Sequence, residues 1–291
     1  MSSQSKVNKV TRKSMLIRES GRSTDFITPS FGYGCLLNCS YCYMKRHLPK
    51  GLNVAQNYAQ ILSEVNNHAF FTNVEKPNQT HAEYTTYDIS CNEDFALHAK
   101  FHKWEEIFTF FKEHPIAMAS FATKVIPKQF LAFNPNKKVR IRFSLMPQSI
   151  STELEPNTPL ILDRIKAINS FIDAGYDVHV NFSPVVHYNG WLADYEELFD
   201  QLDTHVKDEY KSQVKAEVIF LTHNEDKHVR NLEDNLTGED LLWTPENQEK
   251  KVSQYGGKNI RYSYKHKPVF IKEWKKVHKD TIAWNTIRYI F

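Results

Sequence analysis

The chain has 291 residues, of which 41% are hydrophobic, enough for one large α/β domain or two small ones with a buried core. Its formal net charge of +3 is too small to indicate a nucleic-acid partner by itself. No apolar run reaches the length of a membrane span or has the pattern of a secretory signal, so we expect a cytoplasmic protein whose cysteines serve metal or redox chemistry rather than disulfides.

Positive charges are concentrated near the two ends of the chain. The first 24 residues are polar and basic, and we interpret residues 1–24 as a flexible basic arm. A second basic group lies between Lys265 and Lys279. The two groups could flank an anionic ligand, although a solvated arm and a solvated helix face would explain them equally well.

Between residues 25 and 222, apolar β-prone runs alternate with stretches of helical periodicity. Strands are predicted at 26–34, 84–91, 116–125, 139–146, 177–186 and 215–221, and helices at 53–70, 96–114, 127–133, 159–175 and 192–206. Six successive β-α units favour a parallel sheet with right-handed crossovers, open or closed as a barrel. In such sheets the ligand lies at the carboxyl ends of the strands.

The pattern changes from about residue 223. Residues 222–251 are charged and weakly periodic, which indicates a loop and a helix. Residues 258–267 alternate like a strand and could form half of a hairpin after Gly256 and Gly257, before a helix at 268–282 and a last strand at 287–291. We interpret residues 223–291 as an extension that completes the fold and offers a platform for the substrate.

Three of the four cysteines lie within eight positions, in the segment GCLLNCSYCYMKR at residues 34–46. The C-x3-C-x2-C spacing would let Cys35, Cys39 and Cys42 bind three corners of a cubane iron-sulfur cluster and leave one iron open. A structural zinc site would need a fourth ligand, which Cys91 or His47 could supply. The spacing therefore favours a cluster, with zinc as the alternative.

The cysteine spacing, its position after the first strand and Tyr41 directly before the third cysteine resemble the radical S-adenosylmethionine enzymes. The resemblance implies a partial (β/α)6 barrel, a [4Fe-4S] cluster and S-adenosylmethionine bound through the open iron. It further implies that the reduced cluster cleaves S-adenosylmethionine to a 5'-deoxyadenosyl radical. By the same resemblance, Tyr41 lies beside the adenine.

Within this superfamily the chain is similar to the spore photoproduct lyases, also called DNA repair photolyases, from about residue 26 to the end. The similar motifs are CLLNCSYCYMK, FATKV, RFSLMPQSISTELEPNT, GYDVHVNFSPVVHYNGW and, more weakly, IRYSYK. The resemblance places Lys124 of FATKV and Ser144 of RFSL where strand ends contact S-adenosylmethionine. We expect Asn181 and His187 at the end of the fifth strand, with Asn181 near the cofactor and His187 near the substrate.

The resemblance implies reversal of a thymine dimer in DNA. A deoxyadenosyl radical would take a hydrogen from the lesion, a cysteine would return one to the thymine, and Tyr41 and Tyr43 would relay the radical. The family's donor cysteine precedes an Asp-Ile pair, whereas YTTY precedes Asp88 and Ile89 here. Cys91 is therefore either a displaced hydrogen donor or a small buried side chain.

Two residues of the tail are candidate substrate contacts. Arg261 and Tyr262 combine a cation for a phosphate with a ring that could wedge against an extruded base, although ordinary sheet packing would also explain the alternating aromatics.

We therefore expect a lesion lyase that acts on damaged DNA and takes electrons from an external donor such as flavodoxin or ferredoxin. One alternative is an enzyme of the same family with another substrate, which the missing thiol before Asp88 favours. The other is a non-catalytic nucleic-acid-binding protein with a structural metal ion.

Overall fold

The computed structural model describes residues 7–42, 44, 52–252 and 256–291. The strands are β1 (Val7–Val10), β2 (Arg18–Glu19), β3 (Phe26–Ile27), β4 (Gly32–Tyr33), β5 (Leu52–Ala55), β6 (Thr85–Asp88), β7 (Ala117–Thr123), β8 (Val139–Leu145), β9 (Asp177–Val185), β10 (Ala216–Phe220), β11 (Thr222–His223), β12 (Gln248–Val252), β13 (Lys258–Tyr262) and β14 (Ile287–Ile290). The helices are α1 (Tyr58–Phe71), α2 (Phe95–His98), α3 (Trp104–Glu113), α4 (Gln148–Leu154), α5 (Ile161–Asp173), α6 (Trp191–His205), α7 (Asp208–Lys211), α8 (Glu225–Glu233), α9 (Glu239–Leu242) and α10 (Lys267–Ile282). None of the helices in these ranges is long and apolar enough to cross a membrane.

The main sheet has eight strands in the order β14-β10-β9-β8-β7-β6-β3-β2. Strands β3, β6, β7 and β8 pair in parallel, as do β9, β10 and β14, whereas β2 runs antiparallel to β3. Helices α2 and α3 separate β6 from β7, a 3₁₀ helix at Lys128–Ala132 separates β7 from β8, and α-helices separate β8 from β9 and β9 from β10. Such connections allow neighbouring strands to run parallel. The predicted α/β class with a parallel sheet is therefore confirmed.

Strand β8 is buried along its whole length and has different chemistry on its two faces. Alternate side chains point to opposite faces, so one face is apolar and the other carries Arg140, Arg142 and Ser144. Each arginine is paired: Arg140 Nε lies 2.7 Å from Asp177, and Arg142 Nη2 lies 2.7 Å from Asp88. These ion pairs offset the cost of burying charged side chains on one face of β8.

The chain divides into two compact units. The first comprises residues 1–36, 47–143 and 167–179, and the second comprises residues 37–46, 144–166 and 180–291. Each has a core rich in aromatic rings, with Phe95, Phe108, Phe121 and Phe130 in the first and Phe182, Tyr195, Phe199 and Trp274 in the second. The boundaries predicted after residues 24 and 222 stay a prediction.

Residues 7–19 differ from the expected flexible arm because they contain two paired strands. Strand β1 pairs in parallel with β5, with Val7 opposite Leu52, and β2 pairs with β3. The pairing is made by backbone groups and a partner 45 positions away, so the polar side chains of this segment gave no local sign of it. Strand β5 in turn occupies residues expected to begin the first helix, which starts at Tyr58.

Two other predicted elements are divided. The strand predicted at 26–34 is two strands, since β3 joins the main sheet and β4 joins a small sheet in the order β1-β5-β4. Pro29, which cannot donate a ladder hydrogen bond, lies between them. The helix predicted at 96–114 is α2, a 3₁₀ turn at Ala99–Phe101 and α3.

In the tail the predicted hairpin is confirmed. Strand β13 pairs antiparallel with β12, with Arg261 opposite Glu249, and also with β11. Strand β12 falls in the segment expected to hold only a loop and a helix. Its sequence, QEKKV, is charged and exposed at the edge of a small sheet, where apolar alternation is not required.

Candidate functional site

The three clustered cysteines follow strand β4. Gly34, directly before Cys35, has a φ of 98°, a left-handed conformation that glycine adopts at little cost, and its N–H donates to Asn92 O at 3.2 Å. Cys39 is buried, and Cys35 and Cys42 are half-buried. All four cysteines are described, and none forms a disulfide. The loop therefore carries three thiols at the C-x3-C-x2-C spacing from which a cubane cluster is predicted.

Side chains of the second unit fix the backbone of this loop. Asn231 Nδ2 donates to Ser40 O at 2.9 Å, and Lys227 Nζ donates to Tyr41 O at 3.1 Å. The N–H of Ser40 donates to Leu154 O at 2.9 Å. Helix α8 and the end of α4 therefore hold the backbone of Ser40 and Tyr41, the two residues between Cys39 and Cys42.

The phenol of Tyr41 belongs to a buried polar network. Tyr41 OH donates to Glu155, and Arg164 Nη2 lies 2.9 Å from the other oxygen of that carboxylate. Arg164 Nη1 also donates to Ser144 O at 2.9 Å. Burial, and then the negative charge of Glu155, hold the pKa of Tyr41 well above its ordinary value. The phenol therefore keeps its proton and its orientation.

This network links Tyr41 to Ser144 through Glu155 and Arg164. The sequence predicted both residues as cofactor contacts but indicated no connection between them. Sequence reasoning did not identify Glu155 and Arg164 as site residues. The available signal was the segment STELEPNT, in which Glu155 directly follows helix α4, with an arginine nine positions later. That spacing alone does not indicate a contact with a tyrosine 114 positions earlier.

Lys124 lies one residue beyond the end of β7, as expected for a strand-end residue. Its N–H donates to Asp94 Oδ2 at 2.9 Å, and the Thr123 hydroxyl donates to Asp94 Oδ1 at 2.8 Å. Burial raises the pKa of Asp94 above its ordinary value, although the bonds from Lys124 and Thr123 act in the opposite direction. Asp94 also caps α2 by accepting from Leu97 N–H, so one carboxylate fixes both segments.

Ser144 is buried one residue before the end of β8. Asn181 is the central residue of β9, so its predicted position at the end of the strand is wrong. The strand extends to Val185, and only His187 lies beyond it. The Oδ1 atom of Asn181 is buried and accepts no hydrogen bond from the described residues.

Cys91 follows the end of β6 by three residues and is half-buried. The backbone turns between them, because Ser90 N–H donates to Asp88 Oδ1 at 2.8 Å. Arg18 Nη2 donates to Cys91 Sγ at 3.5 Å. Cys91 is therefore not a wholly buried apolar side chain, and a cationic group stands beside its sulfur.

Tyr262 was expected to contact a base, and the structure contradicts this. Its side chain is 1% exposed, its ring meets Phe270 edge-on at 5.3 Å, and its hydroxyl accepts from His187 N–H at 2.8 Å. Alternation along β13 directs Tyr262 into the core. The ring of His187 stacks on Phe270 at 3.9 Å, and burial lowers the pKa of His187.

Arg261 lies on the other face of β13 and pairs with Glu249, with Nη2 2.8 Å from Oε1. Tyr264, two residues beyond Tyr262, is 70% exposed. The exposed ring of this hairpin is thus Tyr264. Tyr43, the second residue of the expected relay, lies outside the described residues.

Comparison with known proteins gives a consistent result. A family model described as spore photoproduct lyase matches residues 3–290. The chain is 25% identical to the spore photoproduct lyase of Bacillus subtilis (strain 168) over 212 residues, which cover 72% of this chain and 59% of that protein. It is 26% identical to the spore photoproduct lyase of Clostridium acetobutylicum over 197 residues, covering 64% of this chain and 56% of that protein. The matches therefore span less than two thirds of the length of these relatives.

Solved structures show the same fold. A spore photoproduct lyase variant with bound AdoMet and dinucleoside spore photoproduct has a TM-score of 0.87 at 19% identity, covering 98% of this chain and 82% of that chain. A spore photoproduct lyase complexed with dinucleoside spore photoproduct has a TM-score of 0.85 at 20% identity, with the same coverage. This likeness confirms the predicted α/β partial barrel.

Proposed function

Because the chain belongs to the spore photoproduct lyase family, we propose that it is a radical S-adenosylmethionine enzyme that reverses a thymine dimer lesion in DNA. The observation that carries the proposal is the C-x3-C-x2-C loop, whose backbone is held by Asn231 and Lys227 in a chain that matches the family from end to end. Two structures of family members contain dinucleoside spore photoproduct, and this chain shares their fold.

The three loop thiols, Cys35, Cys39 and Cys42, are the proposed ligands of a [4Fe-4S] cluster. Three thiols without disulfides fit a cluster with one open iron, and a zinc site would need a fourth ligand. When bound, the cluster and S-adenosylmethionine would supply an electron and a carbon radical. An external donor such as flavodoxin or ferredoxin is the proposed source of the electron.

Polar groups of the sheet are the proposed contacts for S-adenosylmethionine. Lys124 would offer its ammonium to the carboxylate at the end of β7, and Ser144 would bind at the end of β8. The amide of Asn181 fits a polar ligand because its buried Oδ1 has no hydrogen-bond donor among the described residues. Tyr41 would lie beside the adenine, oriented by Glu155.

Hydrogen return to the thymine is assigned to Cys91, and Tyr41 with Tyr43 to the relay of the radical. Arg18 beside the sulfur would keep the thiol in one orientation. On the C-terminal hairpin, Arg261 is the proposed phosphate contact, and Tyr264 takes the part expected of Tyr262, since it is the exposed ring. His187 would act indirectly by holding the Tyr262 hydroxyl.

The test is an anaerobic assay of the reconstituted, dithionite-reduced protein with S-adenosylmethionine and dinucleotide spore photoproduct. Mass spectrometry would follow thymidylyl-thymidine and 5'-deoxyadenosine. We expect restored thymines, and a Cys39→Ala variant should form neither product. Wild-type protein that binds iron but forms neither product would contradict the proposal.

A second substrate class is favoured by one specific observation, the YTTY sequence where the family has a thiol before its Asp-Ile pair. An enzyme of the same family could modify another nucleic-acid base, a peptide or a metabolite with the same radical. Deoxyadenosine formation without thymine restoration in this assay would support that function and exclude lesion repair.

Substitution of Cys91 tests the assignment of the hydrogen donor. In Cys91→Ala the thymine radical would lose its hydrogen source, so we expect lesion cleavage to continue while side products replace thymidylyl-thymidine. Ser90→Ala, one residue away, is the matched control and should give normal products. An unchanged product distribution in Cys91→Ala would remove Cys91 from the mechanism.

A further inference from the structure

Three side chains of the C-terminal part converge within the second unit. His223 lies on β11, His228 on α8, and Glu239 is the first residue of α9. His223 Nε2 lies 2.9 Å and His228 Nδ1 lies 2.6 Å from the same oxygen, Glu239 Oε1. His223 and Glu239 are buried, whereas the His228 side chain is 21% exposed. Two imidazole nitrogens thus converge on one carboxylate oxygen, beside the partly exposed ring of His228.

Neighbouring residues hold these groups in orientation. Asn231 Nδ2 donates to the second carboxylate oxygen, Glu239 Oε2, at 2.5 Å. The ring of His228 stacks on Trp243, with centroids 4.1 Å apart and planes 11° apart. A hydrogen bond to a ligating carboxylate is typical of metal sites, and the stacking on Trp243 fixes the plane of the His228 ring.

We propose that His223 Nε2, His228 Nδ1 and Glu239 Oε1 bind one zinc ion, separate from the iron-sulfur cluster. Two imidazoles and a carboxylate are a common zinc donor set, and a water molecule would complete the tetrahedron beside the partly exposed His228. Zinc bonds of about 2.0–2.2 Å place donor atoms about 3.3 Å apart. The histidine nitrogens, 2.9 Å and 2.6 Å from Glu239 Oε1, would therefore each move outward by less than about 1 Å on binding.

The proposed ion would act on the cysteine loop through one residue. Asn231 donates to Glu239 and also to Ser40 O, between Cys39 and Tyr41. Zinc would fix α8 against α9. It would thereby hold Asn231, whose side chain donates to the backbone of the cysteine loop. Its role is therefore structural, and iron binding does not require zinc as a reactant.

A second triad, Glu93, His98 and His102, has the same donor types in the first unit. Its three side chains are at most 1% exposed, which leaves no solvent-facing position for a fourth ligand. A Cβ atom on Gly32 would lie 2.4 Å from Glu93 Oε2, so the surroundings of the carboxylate are tightly packed. The zinc proposal is therefore confined to His223, His228 and Glu239.

The test uses the full chain with its cluster reconstituted, incubated with zinc ions and then desalted. We expect about one zinc per chain by elemental analysis. X-ray absorption at the zinc edge should show only nitrogen and oxygen neighbours at about 2.0–2.1 Å, whereas zinc bound by the cysteine loop would show sulfur at about 2.3 Å. Wild-type protein that retains no zinc, or zinc with sulfur neighbours alone, would overturn the proposal.

Two variants make the assignment residue-specific. Glu239→Gln keeps the shape of the side chain and His228→Gln changes a half-exposed position, so both should fold, which circular dichroism would verify. We expect each to retain at most a tenth of the wild-type zinc. His266→Gln changes another half-buried histidine of the C-terminal part and should retain zinc fully. Wild-type zinc content in folded Glu239→Gln would refute the site.

Discussion

At the scale of single residues, the buried Glu155–Arg164 ion pair is a position where we expect substitution to lower the stability of the fold. Both side chains are at most 1% accessible to water, so each charge depends on its partner and on nearby hydrogen bonds. The same carboxylate orients Tyr41, and the same guanidinium binds the carbonyl of Ser144. Loss of either charge would therefore affect both the stability of the second unit and the geometry of the site.

We predict that Arg164→Met lowers the free energy of unfolding by about 3–5 kcal/mol, because it leaves a buried carboxylate without its cation. Lys166→Met, at an exposed position of the same helix, should have little effect. Urea denaturation of both variants checks this. The double variant Glu155→Gln with Arg164→Met should recover part of the loss, and equal stability of the Lys166 and Arg164 variants would contradict the prediction.

Some site residues could be predicted from the sequence and others could not. Cys35, Cys39 and Cys42 form a local pattern whose chemistry depends on spacing along the chain, so the sequence indicates them directly. Glu155 meets Tyr41 across 114 positions, and no local pattern reports such a contact. Tyr262 was misassigned because a strand's alternation shows that two faces exist but not which of them is buried.

At the scale of elements, helix α8 connects the C-terminal extension to the cysteine loop. Its N-cap is Asn224, whose side chain accepts from Lys227 N–H at 2.8 Å, so the first turn that carries Lys227 is well defined. Lys227 and Asn231 are one helical turn apart and share a face. The extension therefore supports the proposed cluster site directly, whatever its contact with substrate.

We predict that Lys227→Met lowers iron incorporation on reconstitution, because Tyr41 O loses its ammonium donor while the helix itself is preserved. Iron per chain and the visible absorbance of the cluster measure the effect. Arg230→Met, at an exposed position of the same helix, should incorporate iron like the wild type. Equal iron content in the two variants would show that the bond from Lys227 to the cysteine loop is not needed for iron binding.

The elements that could be predicted are those with a continuous apolar signal. Strands β7 and β8 are almost wholly buried, so their runs stand out from the flanking polar residues. Strand β5 was mistaken for the start of a helix because its four residues lead directly into the helical period of α1. Strand β12 was missed because an exposed edge strand tolerates charge.

At the scale of the whole molecule, folding lowers the pKa values of several histidines and carboxyl groups, so the folded state is less stable at acidic pH. Burial lowers the pKa of three histidines in different parts of the chain: His68, His114 and His278. Burial alone would raise the pKa of Glu93 and Asp177, but their histidine and arginine partners hold both carboxyls below their usual range.

We predict that the free energy of unfolding falls as the pH drops from about 7 through about 6.5. A histidine whose pKa is lower in the folded state binds more protons when unfolded, and each extra proton contributes a slope of about 1.4 kcal/mol per pH unit. The two carboxylates add a further loss near pH 4 and below.

Urea titrations between pH 8 and pH 5 measure this dependence. His278→Gln should reduce the slope below pH 6.5, because it removes one buried histidine that must otherwise become charged on unfolding. Stability that is flat from pH 8 to pH 5 would contradict the prediction.

The interleaving of the two compact units has a consequence for inheritance. Each unit is assembled from three separate stretches of the chain, so the path passes from one to the other five times. A single crossover between residues 37 and 179 would divide both units between the two parent genes, whereas one outside that range would divide only one of them. Lineages that exchange this protein by recombination should therefore show few breakpoints between residues 37 and 179, where both units would be divided.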